Sequence, residues 1–114
     1  PYPLHSRAAP GDVVELQIDA SPLGVRPDTT YPLIEVQLAP GDRIVFCSDG
    51  IAEAANARGE ILGFERTAET VRRCCAEKPS AEALVDRLIA EVQTFIGETP
   101  LEDDMTVVAL VVET

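Results

Sequence analysis

Four segments of the chain carry the apolar spacing of β-strands. Apolar and polar residues alternate in Val13–Asp19, from Val14 onwards, and again in Ile34–Leu38, and this period of two predicts half-buried strands. Arg43–Cys47 and Thr106–Val112 are continuous apolar runs instead. Because the last run is apolar on both faces, we expect it to be a central strand.

A tight turn is predicted between the second and third of these strands. In a type II turn, proline fixes φ at the first corner and glycine supplies the positive φ at the second. Pro40-Gly41-Asp42 fits this pattern, and it predicts a hairpin that pairs residues 34–38 with residues 43–47.

Two helices are predicted between the third and fourth strands. Arg66–Glu77 is the first, and Lys78-Pro79 ends it, since a residue before proline avoids the α conformation. Ser80 is a suitable N-cap for the second, whose apolar stripe over Leu84–Ile96 ends at Gly97. The order of elements indicates an α+β fold, with a mainly antiparallel sheet and an αα-hairpin packed on one face.

Composition excludes several classes of protein. The chain has 114 residues, 46% of them apolar, and its 9 Lys and Arg against 20 Asp and Glu give a formal charge of −11. Such a chain is expected to be a soluble domain that binds neither nucleic acid nor anionic membranes, and no apolar run is long enough to cross a bilayer.

The three cysteines do not suggest a disulfide framework. Their number is odd and Cys74 adjoins Cys75, so we expect these two and Cys47 to be buried thiols in a reducing cytoplasm. Met105 is expected in the core. The chain opens on Pro1–Leu4 without an initiator methionine, which we interpret as the middle of a longer protein.

Two acidic segments adjoin the third and fourth strands. Asp49 comes just after the strand that ends at Cys47, and Asp103 comes just before the last strand. If these strands are antiparallel neighbours, about 4.8 Å apart, the two carboxylates meet at one edge of the sheet. Close carboxylates repel unless one is protonated or a hard cation such as Mg²⁺ or Mn²⁺ lies between them. Gly50 would give this loop its close backbone approach and its freedom to turn.

The spacing of these residues leaves a second interpretation open. Asp-Gly is also a common turn, and an aspartate before a strand can simply cap a loop through its own backbone. From spacing alone, a metal site and two unrelated turns both remain, and nothing in the composition names a reaction.

The same acidic residues lie in segments that resemble one known family. The run Leu38–Ala54, which contains Ser48-Asp49-Gly50, and the closing run Asp103–Val108 are similar to the second half of the SpoIIE/RsbU-type serine phosphatases. These are the bacterial branch of the metal-dependent PPM protein phosphatases. Pro1–Leu4 and Pro22–Val25 also fit, so the resemblance covers nearly the whole chain.

The resemblance implies a β-sandwich flanked by helices and a protein serine/threonine phosphatase that activates water with two Mn²⁺ or Mg²⁺ ions. It implies that Asp49 and Asp103 are ligands of one metal and that Asp104 is a weaker candidate. The implied substrate is phosphoserine or phosphothreonine on a regulatory protein such as an anti-sigma-factor antagonist. The implied parent chain carries a sensor or receiver domain upstream.

The chain also departs from the family it resembles. The family's domain is nearly twice as long, and neither the metal-bridging Gly-Asp pair of its first half nor its Gly-His lies in this sequence. His5 is not a counterpart, and we expect it to be a surface or core residue. We therefore expect at most half of a metal site, weak Mn²⁺ binding and no phosphatase activity from the chain alone.

Two hypotheses about function follow from these observations. In the first, the chain is part of a phosphatase whose other half lies elsewhere, and its exposed sheet edges favour a dimer or a complementing fragment. In the second, it is a catalytically silent phosphatase-like module that acts by binding proteins.

Overall fold

A four-stranded antiparallel sheet forms the centre of the fold, which the computed structural model describes over residues 1–113. The elements in chain order are β1 (Leu4–Ser6), β2 (Val13–Glu15), β3 (Arg43–Cys47), α1 (Asp49–Ala52), α2 (Gly63–Ala76), α3 (Ala81–Ile96) and β4 (Val107–Val111). The strand order across the sheet is β2-β1-β3-β4, and every neighbouring pair is antiparallel. The predicted α+β class with a mainly antiparallel sheet is confirmed.

The helices α2 and α3 bury one face of the sheet. Val45 of β3, Val71 of α2 and Leu84 of α3 are completely buried in a shared cluster. Leu84 belongs to a row of α3 residues spaced four apart, and this spacing places them on one side of the helix, toward the core. Their members are Leu84, Leu88, Val92 and Ile96.

The caps predicted for the second helix are confirmed. Ser80 has an extended backbone, and its Oγ accepts a hydrogen bond of 3.1 Å from the amide of Ala83. Gly97 follows the last helical residue with a φ of 61°. The first helix begins at Gly63, three residues earlier than the pattern predicts, and ends at Ala76.

A second apolar cluster lies below the end of β3. It joins Ile51 of α1, and Ala54 just after it, to Val92 and Ile96 of α3, and Met105 packs against it. The expectation that Met105 is a core residue is confirmed. Because α1 is only one turn long, this cluster is what holds it in place.

The predicted hairpin between residues 34–38 and β3 is wrong, although the turn itself is right. Gly41 has a φ of 86° and the amide of Asp42 donates to the carbonyl of Ala39 at 3.0 Å, as in a type II turn. However, β3 pairs with β1 on one side and with β4 on the other. No edge of β3 is left for residues 34–38, which form no strand.

Three further expectations about the strands need correction. The strand predicted over residues 13–19 extends only from Val13 to Glu15, and Val13, rather than Val14, packs against the core. The strand β4 lies at the edge of the sheet rather than at its centre. The strand β1 was not predicted, because it has only three residues and directly follows Pro3, so it is too short to show an alternating pattern.

The face of the sheet opposite the helices is covered only in part, because Ile44 and His5 lie on it and are 5% and 4% exposed. We call its exposed apolar part the outer face, which consists of Val14, Phe46, Val108 and Leu110, each 38–54% exposed. Phe46 lies directly opposite Val108 in the register of β3 and β4. The outer face explains why β4 is apolar on both sides although it is an edge strand. Among the helices of residues 1–113, none is long and apolar enough to span a bilayer.

A buried pair of side chains ties β1 to the turn before β3. Nε2 of His5 lies 2.8 Å from Oδ2 of Asp42, and both side chains are 5% exposed. Asp42 also accepts hydrogen bonds from the amides of Ala8 and Ala39, at 2.9 and 3.0 Å. Burial by itself would raise the pKa of Asp42, but the two amides and His5 outweigh it and lower the pKa to about 2. His5 is thus a core residue, one of the two places that we expected for it.

Candidate functional site

Pairing of β3 with β4 brings the two acidic segments to one edge of the sheet. Cys47 lies opposite Val107, and the amide of Ser48 donates to the carbonyl of Thr106 at 2.9 Å. The segment that starts at Asp49 therefore leaves the sheet beside the segment that ends at Asp104. The antiparallel neighbourhood on which the predicted metal site depends is present.

Ser48 fastens the two segments to each other. Its Oγ accepts a hydrogen bond of 2.9 Å from the amide of Thr106, although Ser48 stands at the N-cap position of α1 and makes no side-chain cap there. Sequence reasoning did not single out this role for the hydroxyl. The only signal available was a serine directly after an apolar strand, which is too common to be specific.

Gly50 allows the backbones of the two segments to approach. A β-carbon at this position would lie 2.0 Å from the carbonyl oxygen of Asp104 and 3.6 Å from the carbonyl carbon of Asp103. No side chain fits there, so the predicted close approach is confirmed. The predicted freedom to turn is not needed, because Gly50 lies in α1 and is absent from the glycines with positive φ.

The three aspartates lie around this contact and are exposed. The side chain of Asp49 is 59% exposed, and its Oδ1 lies 3.6 Å from the nitrogen of Pro1. Oδ1 of Asp103 accepts a hydrogen bond of 2.8 Å from the amide of Asp104, and both residues are exposed. We call Asp49, Asp103 and Asp104, with Gly50 between their backbones, the acidic edge.

The acidic edge has the right type of ligand for a hard divalent cation but too few of them. Carboxylate oxygens suit Mg²⁺ and Mn²⁺, which also retain several waters. Within residues 1–113, however, no group of three or more His, Cys, Asp or Glu side chains is arranged to hold a metal ion. Asp49, Asp103 and Asp104 remain candidate ligands, and they would form only part of a metal site.

Neither Cys47 nor His5 adds a reactive group to the acidic edge. Cys47 ends β3 next to it, but burial raises the pKa of its thiol to about 11, so it stays protonated near neutral pH. The thiols of Cys74 and Cys75 are buried, and burial raises the pKa of each as well. His5 is bonded to Asp42, which precedes β3 at the other end of the strand.

The comparison with protein families decides which family this is. The model of the family described as Stage II sporulation protein E (SpoIIE) matches residues 1–113. The chain belongs to the SpoIIE family. The resemblance to the SpoIIE/RsbU type that the sequence indicated is confirmed at the level of the family. Among curated proteins, no significant match is found.

Several solved structures share its fold. The SiaA-PP2C domain of Pseudomonas aeruginosa is 24% identical, with a TM-score of 0.76, and the match covers 98% of this chain and 43% of that one. The SpoIIE phosphatase domain of Bacillus subtilis, presoaked with Mn, is 22% identical with a TM-score of 0.67, and the match covers 99% of this chain and 47% of that one.

A third structure contains the RsbU and RsbW domains of Rv1364c from Mycobacterium tuberculosis. It is 25% identical with a TM-score of 0.68, and the match covers 96% of this chain and 29% of that one. In each of these three cases the chain spans less than half the length of the structure that it matches.

Proposed function

We propose that the chain is the C-terminal part of a metal-dependent protein serine/threonine phosphatase domain and that the acidic edge contributes to its metal site. The observation that carries the proposal is the pairing of Cys47 with Val107, which leads two acidic segments from distant parts of the chain to one edge. Membership of the SpoIIE family supports phosphate-ester hydrolysis as the chemistry of that edge.

In this proposal Asp49 and Asp103 bind one Mn²⁺ or Mg²⁺ ion, and Asp104 is a weaker candidate. A bound divalent ion would supply the activation of water and the neutralisation of phosphoryl charge that such hydrolysis needs. The chain itself holds the carboxylates in position. Ser48 ties the two segments together, and Ile51, which is 2% exposed, anchors α1 below them.

The remaining ligands are proposed to come from outside these 114 residues. The outer face supports this, because a sheet face with Phe46 and Val108 exposed resembles half of the inside of a β-sandwich. A second sheet packed on the outer face would bury it and complete the domain. The chain alone is then expected to bind Mn²⁺ weakly and to show no turnover.

The proposed substrate is phosphoserine or phosphothreonine on a regulatory protein, such as an anti-sigma-factor antagonist. The exposure of all three aspartates supports a protein substrate, since a loop of another protein could reach the acidic edge without entering a deep pocket. The RsbU and RsbW domains of the Mycobacterium tuberculosis structure support a regulatory pathway of this kind. A sensor or receiver domain in the parent chain and a cytoplasmic location belong to the same proposal.

The test is Mn²⁺-dependent hydrolysis of a phosphoserine peptide by the full-length parent protein. We expect Asp49→Ala and Asp103→Ala each to reduce kcat by at least about a hundredfold, as for the loss of a group that stabilises developing charge. Asp104→Ala should have a smaller effect. Asp28→Ala is the matched control, because Asp28 is an exposed aspartate in the loop before β3. Wild-type rates in both principal variants would remove the acidic edge from the mechanism.

A catalytically silent binding module is the second candidate function. The uncovered outer face favours it, since such a face could bind a protein partner without any chemistry. The two candidates differ in a direct measurement on the full-length parent protein. A silent module would show no Mn²⁺-dependent turnover while Val108→Lys still abolished partner binding.

A further inference from the structure

A second polar region lies at the end of the sheet opposite the acidic edge. It is a cavity of about 740 Å³ whose lining includes Arg7, Arg43, Arg72 and Lys78. We call it the basic cavity. Arg43 starts β3 and Cys47 ends it, so the basic cavity and the acidic edge are separated by the length of the strand, about 13 Å.

The charge of the basic cavity is opposite to that of the molecule. The chain has only 9 Lys and Arg in a formal charge of −11, yet four of these cations line this one cavity. Glu113 is the one acidic residue of its lining. Cations gathered in a concave site with apolar walls attract anions more strongly than the same cations on an open surface.

Arg43 is the most informative of the four. It is 7% exposed, and its guanidinium donates only to backbone carbonyls, those of Gly41 at 2.9 Å and of Pro79 at 3.1 and 2.6 Å. No carboxylate within residues 1–113 forms an ion pair with it. The carbonyls satisfy its buried donors, but they carry no full negative charge, so the charge of Arg43 has no counter-charge among the described residues.

The other three cations are accessible to a ligand, although two of them already have acidic partners. Arg7 forms two hydrogen bonds with Asp12, and Arg72 forms two with Glu69, but these side chains are 42–53% exposed, so a ligand of higher charge can reach them and compete with the carboxylates. Lys78, the chain's one lysine, forms no ion pair within the described residues. Pro40, Val111 and Val112 provide an apolar wall beside these cations.

We propose that the basic cavity binds the phosphate groups of a small ligand. Phosphate groups carry more than one negative charge and match guanidinium and ammonium donors, whereas a single carboxylate would neutralise only one of Arg43 and Lys78, the two cations without an acidic partner among the described residues. The volume lies within the range of ordinary ligand sites, which leaves room for an organic group against the apolar wall. This proposal does not depend on the function proposed for the acidic edge.

The experiment is calorimetric titration of the full-length parent protein with inorganic pyrophosphate, in EDTA so that no divalent ion bridges the ligand to the acidic edge. We expect saturable binding with a Kd below about 1 mM that weakens as salt is raised. A parallel titration with ADP identifies the source of the phosphates. Tighter binding of ADP indicates a nucleotide, and equal or weaker binding indicates free polyphosphate.

Three variants test the location of the site. Lys78→Gly removes a cation at a residue whose φ is 53°, a conformation that glycine readily adopts. Because the change does not strain the fold, weaker binding would reflect loss of the cation and not unfolding. Arg72→Gln removes a second cation, and each change should weaken pyrophosphate about tenfold, as for one charge-assisted hydrogen bond. Arg73→Gln is the matched control, because Arg73 is the next residue of α2 but pairs with Glu91 outside the cavity. Absence of saturable binding, or wild-type affinity in both Lys78→Gly and Arg72→Gln, would overturn the proposal.

Discussion

The shape of the acidic edge depends on Gly50, because glycine has no side chain at the point where the two backbones meet. We predict that Gly50→Ala displaces the Asp103–Asp104 segment, because the new β-carbon would meet a backbone oxygen that cannot move alone. The expected cost is about 1–3 kcal/mol of unfolding free energy in urea, with shifted amide resonances for Asp104 to Thr106. Gly24→Ala is the control, since it meets no atom within 4 Å and strains only its own φ of +83°. Unshifted resonances in Gly50→Ala would contradict the close contact.

Asp42 makes stability depend on pH. Its pKa is about 2 in the folded chain against an ordinary value of 3.8, so its stabilising effect is complete above pH 3.8 and is lost as the pH falls toward 2. We predict that Asp42→Asn destabilises the chain by about 1–3 kcal/mol at pH 6, because buried partners lose a charged acceptor. Urea titrations from pH 6 to pH 2 should show the difference from wild type shrinking below pH 4. A difference that stays constant over that range would refute the assignment, and Asp28→Asn should match wild type throughout.

At the scale of the element, α3 depends on Ser80, the residue that caps its N-terminus. We predict that Ser80→Ala costs about 1 kcal/mol of unfolding free energy, since the Oγ that accepts from the amide of Ala83 is lost. Ser80→Asp keeps an acceptor at the N-terminus of the helix and should restore most of the loss. Urea denaturation of the three proteins measures both effects. Equal stability of the wild type and Ser80→Ala would show that packing alone fixes the start of α3.

The elements that sequence could predict are those whose local signals agree with the packing. The second helix has an apolar stripe, a serine cap and a terminal glycine, and the strand β3 is a continuous apolar run. Residues 34–38 have an equally good alternating pattern and form no strand, because strand formation needs a free partner and both sides of β3 are taken. The pairing of β1 with β2 and β3 is non-local, and three residues carry too little pattern to reveal it.

At the scale of the whole molecule, the candidate site was predictable in outline but not in detail. Asp49 directly follows one apolar strand, and Asp103 comes just before another. This order was enough to predict that the two residues share an edge of the sheet. The register that fixes them, and the use of Ser48 across the two segments, depends on tertiary pairing that no local pattern records. The basic cavity was not predicted either, because its four cations come from β1, β3, α2 and their adjoining turns.

The outer face determines how the molecule behaves as a whole. Phe46 and Val108 lie opposite each other on the outer face and are 45% and 54% exposed to solvent. Apolar faces of this kind drive association or burial by another domain. We predict that Val108→Lys lowers self-association of the isolated 114-residue chain in sedimentation velocity. In the full-length parent protein the same change should lower thermal stability, because the lysine would be buried without a partner.

Leu23→Lys is the control for this prediction, since Leu23 is 85% exposed and lies in the loop between β2 and β3. It should change neither sedimentation nor thermal stability, although it replaces leucine with the same charge. If Val108→Lys and Leu23→Lys behaved alike in both proteins, the outer face would be ordinary solvent-facing surface. The argument for a second sheet packed on the outer face would then fail. The pairing of β3 with β4, which forms the acidic edge, would be unaffected.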